Sequence, residues 1–215
     1  MKQVALLLLS LILSVSTFCQ VSENEPVKYV FYLHGAIVQQ QGENAVSPSY
    51  GKYMYRAIID SFRKQGFKVI SEVRPENTTA EAYAVKVATQ VDSLLQNKIP
   101  PQNITIVGAS AGAGIALEVA IIVENRNVNY AFMGICTAGT PARYERKKIC
   151  GNFFSIYEST DSPGSCSKLL YNRMCGTGFK EIKLDLGNGH GFLYQPYKEW
   201  LYPLAQWIHE AAVAK

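Results

Sequence analysis

Residues 104–112 read Ile104-Thr105-Ile106-Val107-Gly108-Ala109-Ser110-Ala111-Gly112 and change character in the middle. The first four are apolar or β-branched, as expected of a strand buried on both faces of a sheet. Gly108 opens a sharp turn, and Ala111 to Glu124 has the Ala- and Ile-rich composition of a packed helix. A serine is thereby left on the turn between strand and helix. Gly108 and Gly112 stand two residues before and two after it, as in G-x-S-x-G. There a strained turn lifts the hydroxyl above the sheet, and the small flanking residues let strand and helix pass closely. In a chain with 16 glycines the bare pattern arises easily by chance, so its strand-to-helix context gives it its weight.

The same alternation extends in both directions. Upstream, Val30 to Leu33 is an apolar run ending at His34-Gly35, the first strand. Tyr53 to Gln65 carries Met54, Ala57, Ile58 and Phe62 at helical spacing, and Gly66 closes it. Lys68 to Val73 is the second strand, stopped by Pro75. Thr79 to Gln96 puts Ala80, Tyr83, Val87, Val91 and Leu94 on one stripe. Downstream of the third strand, Tyr130 to Cys136, Phe153 to Tyr157 and Glu181 to Leu186 are the fourth, fifth and sixth. A last helix from about Tyr197 turns Trp200, Leu201, Leu204 and Trp207 inward. Strands alternating with helices imply right-handed crossovers and an α/β fold: a mostly parallel six-stranded sheet flanked by helices on both faces. Ligands of such sheets bind at the carboxyl ends of the strands, so chemistry-bearing residues are expected just after strands.

A neutral serine hydroxyl is a poor nucleophile and needs a base, with a third group to orient that base. The chain has 3 histidines. His190 lies in Gly187-Asn188-Gly189-His190-Gly191, directly after the sixth strand, in a loop able to present an imidazole over the sheet. His209 falls in the terminal helix, where a surface role is favoured. His34 ends the first strand, and its side chain is expected to be structural. After the fifth strand, Glu158 and Asp161 are the available carboxylates. Both stay open at this point, and Asp185, within or at the end of the sixth strand, ranks third.

The order His-Gly, G-x-S-x-G, acid, Gly-His-Gly, each after a successive strand, resembles the α/β-hydrolase superfamily, and the resemblance covers almost all of residues 20–215. The resemblance implies Asp161 as the acid in preference to Glu158, since the family places the acid three or four residues beyond the strand, and leaves Glu158, closer to the strand, to brace the loop. The resemblance implies a serine hydrolase acting through Ser110, His190 and Asp161 by way of an acyl-enzyme, with no metal or organic cofactor. The loop at His34-Gly35 resembles the one that supplies an oxyanion-hole amide, which implies Ala36 and Ala111 as donors, with Ile37 a weaker alternative to Ala36. Two departures from the larger pattern imply a compact, lidless version similar to small esterases and dienelactone hydrolases. The two leading antiparallel strands are missing, and too few residues separate the fourth and fifth strands to hold a helical lid. The implied substrate is a small ester-like molecule. Tyr50, Tyr53, Tyr55, Glu72 and Arg74 lie near strand ends as candidate lining residues, with Arg74 either binding an acidic group or pairing at the surface. Acyl transfer with the same three residues and a non-catalytic binding protein of the same fold are the alternatives.

Composition narrows the setting. Residues 1–19, with Lys2 and then the apolar run Val4 to Leu13, read as a secretory signal peptide too short to span a bilayer, leaving 20–215 as one domain. Export to a bacterial periplasm or the exterior is expected. Lipid anchoring at Cys19 is less favoured, because Phe18 is not the small residue that pattern prefers. No later stretch is apolar for long enough to cross a membrane. With 21 Lys and Arg against 17 Asp and Glu, the charge is mildly positive, and no basic stripe interleaved with aromatics points to nucleic acid. The cluster Arg143, Arg146, Lys147, Lys148 reads as a solvated loop or short helix. Cys136, Cys150, Cys166 and Cys175 lack zinc-site spacing and suit disulfides after export, with three connectivities open. Oligomeric state is not legible.

Overall fold

The computed structural model describes residues 26–171 and 174–211. The expected signal peptide at 1–19 lies outside them. In chain order the elements are β1 (Tyr29–Leu33), α1 (Ala36–Gln41), the small hairpin β2 (Val46–Ser47) and β3 (Gly51–Lys52), α2 (Tyr55–Lys64), β4 (Lys68–Ile70) and α3 (Ala80–Gln96). They continue with β5 (Ile104–Ala109), α4 (Ala111–Val123), β6 (Asn129–Met133), α5 (Thr140–Arg143), β7 (Ile149–Glu158), α6 (Ser167–Leu170), β8 (Met174–Leu184) and α7 (Lys198–Ala211).

The main sheet has six strands in the order β4-β1-β5-β6-β7-β8, and every pairing is parallel. Period-two alternation along the strands feeds two cores. Val30, Tyr32, Val107, Ala131, Met133, Phe154 and Ile156 pack with α2 and α7. Phe31, Leu33, Ile104, Ile106, Tyr130, Phe132 and Phe153 pack with α3, α4 and α6 on the other face. A sheet covered on both faces needs strands that are apolar throughout, and β5 and β6 are buried at every position.

From β1 the chain crosses to β4 on one side of the sheet and returns to β5 on the other. The loops leaving β1 and β5 therefore diverge, which opens a crevice at the switch in strand order. Gly35 and Ser110 border that crevice: a Cβ built on Gly35 would lie 3.7 Å from the Ser110 Cβ.

Several boundaries differ from the sequence expectation. β4 stops at Ile70 because the chain then leaves the sheet, with the Ser71 hydroxyl donating to the Tyr32 carbonyl. β6 ends at Met133, where Gly134 turns with φ +61°, and Cys136 instead forms a lone antiparallel bridge with Gly164. β7 and β8 start well before the expected strands and run through a bulge at Gly151/Asn152. Two disulfides, Cys136–Cys166 and Cys150–Cys175, tie this half of the chain together and fit an oxidising environment. Among the described residues no helix is long and apolar enough to cross a membrane.

Candidate active site

Ser110 occupies the turn between β5 and α4 with φ 52° and ψ −116°, a left-handed conformation rare for a residue with a side chain. The neighbouring glycines make it possible. A Cβ on Gly108 would sit 2.4 Å from the Gly112 carbonyl oxygen, and one on Gly112 would sit 1.9 Å from that of Leu33. Both contacts are impossible for any larger residue. The Ser110 amide donates to the Met133 carbonyl at 2.8 Å, and its own carbonyl accepts from the amides of Ala113 at 2.8 Å and Gly114 at 3.2 Å, which fix the turn.

His190 lies in a 3-10 turn, Gly189–Leu193, after β8. Its Nε2 is 2.8 Å from the Ser110 Oγ, and its Nδ1 is 2.6 Å from the Asp161 Oδ2. A carboxylate can only accept, so Nδ1 carries the proton and Nε2 is free to accept from the serine hydroxyl. The imidazole is 24% exposed and the Asp161 side chain 6%. Gly134 passes close beneath the ring: a Cβ there would lie 3.3 Å from the His190 Cε1. No pattern in the sequence marks that glycine.

Asp161 sits three residues beyond the end of β7. Glu158, the other carboxylate weighed, is buried and does not reach His190. It accepts from the amide and hydroxyl of Thr160, both at 2.6 Å, and from the amides of Leu186 at 2.9 Å and Gly187 at 3.0 Å. Burial pushes its carboxyl up, but these donors outweigh burial and hold it at about 2. Glu158 thus joins the Asp161 loop to the His190 loop. Asp185 accepts from Ser159 at 2.8 Å, away from the imidazole.

A cavity of about 320 Å³ opens beside Ser110 and His190. Its walls include Ile37, Gln40, Gln41, Tyr53, Leu193 and Tyr194. Tyr53 shares a 2.6 Å hydrogen bond with Tyr32, and burial pushes its phenol up to about 12, so it stays neutral. Gly35 and Ala36 also line the cavity. Ala36 and Ala111 are the first residues of α1 and α4, where backbone amides have no partner inside the helix.

The other candidate lining residues lie elsewhere. Tyr50 packs against Tyr194 with ring centroids 5.3 Å apart and the rings tilted by 56°, and borders an adjoining polar cleft with Ser49, Thr160 and Asn188. Tyr55 is buried behind the site, edge-on to His34. Glu72 pairs with Lys86. Arg74 is neither a surface ion-pair partner nor an anion site: it is 1% exposed and donates to backbone carbonyls of the loop after β1. His34 is fully buried, as expected of a structural side chain, whereas His209 bonds Lys28 and the Gln65 carbonyl at the opposite end of the sheet. Lining residues Gln40, Leu193 and Tyr194 were not legible, because no motif surrounds them.

No protein-family model and no curated protein sequence matches the chain. Solved structures do. A sugar hydrolase from Lactococcus lactis superposes with a TM-score of 0.58 at 13% identity, over 89% of this chain and 92% of the other. A serine hydrolase without a lid from Xanthomonas campestris gives 0.54 at 10% identity over 89% and 84%. Alpha/beta hydrolase domain-containing protein 10 from mouse gives 0.55 at 13% identity over 86% and 89%. At such identities the likeness is one of fold.

Proposed function

On the premise that this chain has the α/β-hydrolase fold, we propose that it is an exported serine hydrolase that cleaves a small, uncharged ester through Ser110, His190 and Asp161. The observation that supports this most is the unbroken chain of hydrogen bonds from Asp161 through His190 to Ser110, at 2.6 and 2.8 Å, assembled from the ends of three different strands.

In this proposal His190 Nε2 takes the Ser110 proton as the oxygen attacks the ester carbonyl. The imidazolium so formed is stabilised by Asp161 through Nδ1. The carbonyl oxygen becomes an oxyanion, and the amides of Ala36 and Ala111 hold it, the second helped by the positive end of the α4 dipole. Collapse of the tetrahedral species breaks the bond to the alcohol, which leaves with the proton from His190. Water then attacks the acyl-enzyme with His190 again as base, releasing the acid and restoring Ser110. Among the described residues His190 is the one titratable side chain besides tyrosines on the cavity wall, and the cavity is near the small end of ligand sites. A short neutral acyl group fits both facts. Two disulfides and the N-terminal apolar segment support export.

The test is Ser110→Ala assayed with p-nitrophenyl butyrate. Turnover should fall by at least about 10⁴-fold with an unchanged circular dichroism spectrum. Retained turnover refutes the proposal. Within a chain-length panel, butyrate should be preferred over palmitate and over a succinate half-ester.

A further inference from the structure

Arg74 is a buried cation with no acidic partner. It follows β4, is 1% exposed, and among the described residues no carboxylate lies within ion-pair distance of it. Burying an unpaired guanidinium is expensive, and such groups persist where every donor is used or the charge has a task. Its Nη2 donates to the His34 carbonyl at 2.7 Å and, longer, to that of Gly35 at 3.4 Å, and its Nε donates to the Gln39 Oε1 at 3.1 Å. Among the described residues Nη1 has no hydrogen-bond partner, and the guanidinium carbon lies 5.5 Å from the centroid of the Tyr83 ring.

His34 completes the clamp. A carbonyl can only accept, so its Nδ1 donates to the Gly35 oxygen at 2.8 Å, and its Nε2 then accepts the Arg74 amide at 3.1 Å. The bond accepted at Nε2 requires the neutral ring, and burial together with the Arg74 charge holds His34 down to about 4. The Gly35 carbonyl is therefore held by the imidazole at 2.8 Å and more loosely by the guanidinium at 3.4 Å, while the guanidinium holds the adjacent His34 carbonyl at 2.7 Å.

The Gly35 carbonyl and the Ala36 N–H belong to one peptide unit. In a trans peptide the two point in opposite directions. Turning the carbonyl inward toward His34 and Arg74 aims the Ala36 amide outward, to the cavity side where Gly35 and Ser110 face one another. A cation on the oxygen side also draws electron density from the nitrogen and makes the N–H a stronger donor, as in any polarised hydrogen-bond chain.

We propose that Arg74, acting with His34 through the Gly35–Ala36 peptide, is the positioning residue of the oxyanion donor, aiming and polarising the Ala36 amide without touching substrate. This rests on the serine-hydrolase proposal above. The clamp matters to the transition state and little to the ground-state ester, whose carbonyl carries only a partial charge.

Arg74→Gln and Arg74→Lys are to be compared with the native protein on p-nitrophenyl butyrate, and with a butyl trifluoromethyl ketone as inhibitor, whose serine adduct places a negative oxygen in the same hole. In Arg74→Gln, kcat should fall about 10²-fold with KM changed less than about threefold, and the inhibition constant should rise by a similar factor. Arg74→Lys keeps the charge and should recover about tenfold of the loss. Folded variants with native kcat and native inhibition overturn the inference. So does a loss that appears only in KM. If Ser110→Ala remains active, the serine-hydrolase proposal itself has failed; if Ser110→Ala is inert and Arg74→Gln is not, only the clamp has. Should neither Arg74 variant fold, proton NMR of the native protein decides. Adduct formation should shift both the Ala36 amide and the Arg74 Nε proton, and an Arg74 signal that stays in place contradicts the clamp.

Discussion

Two carboxylates three residues apart have opposite surroundings, and those surroundings assign them different work. Asp161 offers one oxygen to His190, whereas Glu158 is saturated by four donors from Thr160, Leu186 and Gly187. Asp161→Asn should therefore lower kcat by about 10⁴-fold with little loss of stability, since the amide disturbs the imidazole tautomer more than the packing. Glu158→Gln should do the reverse. Replacing an acceptor oxygen by an amide donor facing backbone N–H groups should remove about 2 to 3 kcal/mol of stability in urea unfolding, and reduce kcat far less than Asp161→Asn does. Equal kinetic losses in the two variants would contradict this division. The preference for Asp161 came from the family resemblance, by its place beyond the strand, and only Asp161 contacts the imidazole. The number of donors around Glu158 was not legible, because Leu186 and Gly187 come from the loop after β8, far away in sequence.

At the scale of elements, β5, the Ser110 turn and α4 form one rigid unit, and Gly112 is its tightest point. A methyl group there would meet the Leu33 carbonyl at 1.9 Å, so Gly112→Ala should lower stability by about 3 kcal/mol or more in urea unfolding and shift the Ala111 amide. The unit was legible because β-branched apolar residues, a glycine turn and an Ala-rich helix all agree locally. The early starts of β7 and β8 were not. β8 lies at the sheet edge and carries exposed Lys183, so its sequence lacks the continuous apolar run of a central strand, and pairing with β7 sets its length. The Cys136–Cys166 disulfide, with the Gly164 amide donating to Cys136 at 2.8 Å, anchors the far end of the Asp161 loop. Replacing that pair by serine should lower kcat about tenfold through misplacement of the acid. Replacing Cys150 and Cys175 should reduce thermal stability and leave kcat near native. The opposite pattern would show that the Asp161 loop holds its shape unaided.

Over the whole molecule, two buried groups tie stability to pH in the same direction. His34 titrates near 6.5 when unfolded and about 4 when folded, so between those values the unfolded chain holds a proton that the folded chain does not. Stability should fall as pH drops through that window, by an amount of the order of 3 kcal/mol. Glu158 adds a second loss from about 4.5 down to about 2. Urea unfolding from pH 7 to 3 measures both, and His34→Gln should flatten the upper window alone; an unchanged slope in that variant would place the proton uptake elsewhere.

The six-stranded α/β architecture and the meeting of Ser110, His190 and Asp161 above one sheet edge follow from local patterns spaced along the chain. The cavity walls do not, since they need the segments after β1, β5 and β8 to meet, and the Arg74 contacts do not, since they need β1 and β4 to lie side by side.

The central claim is that Ser110 is a nucleophile activated by His190. Its most direct measurement is mass spectrometry of the protein after exposure to a fluorophosphonate, with His190→Ala in parallel. One adduct, on the peptide containing Ser110 and lost in His190→Ala, is the predicted result. An unlabelled native protein, or labelling equally fast without His190, would contradict the account.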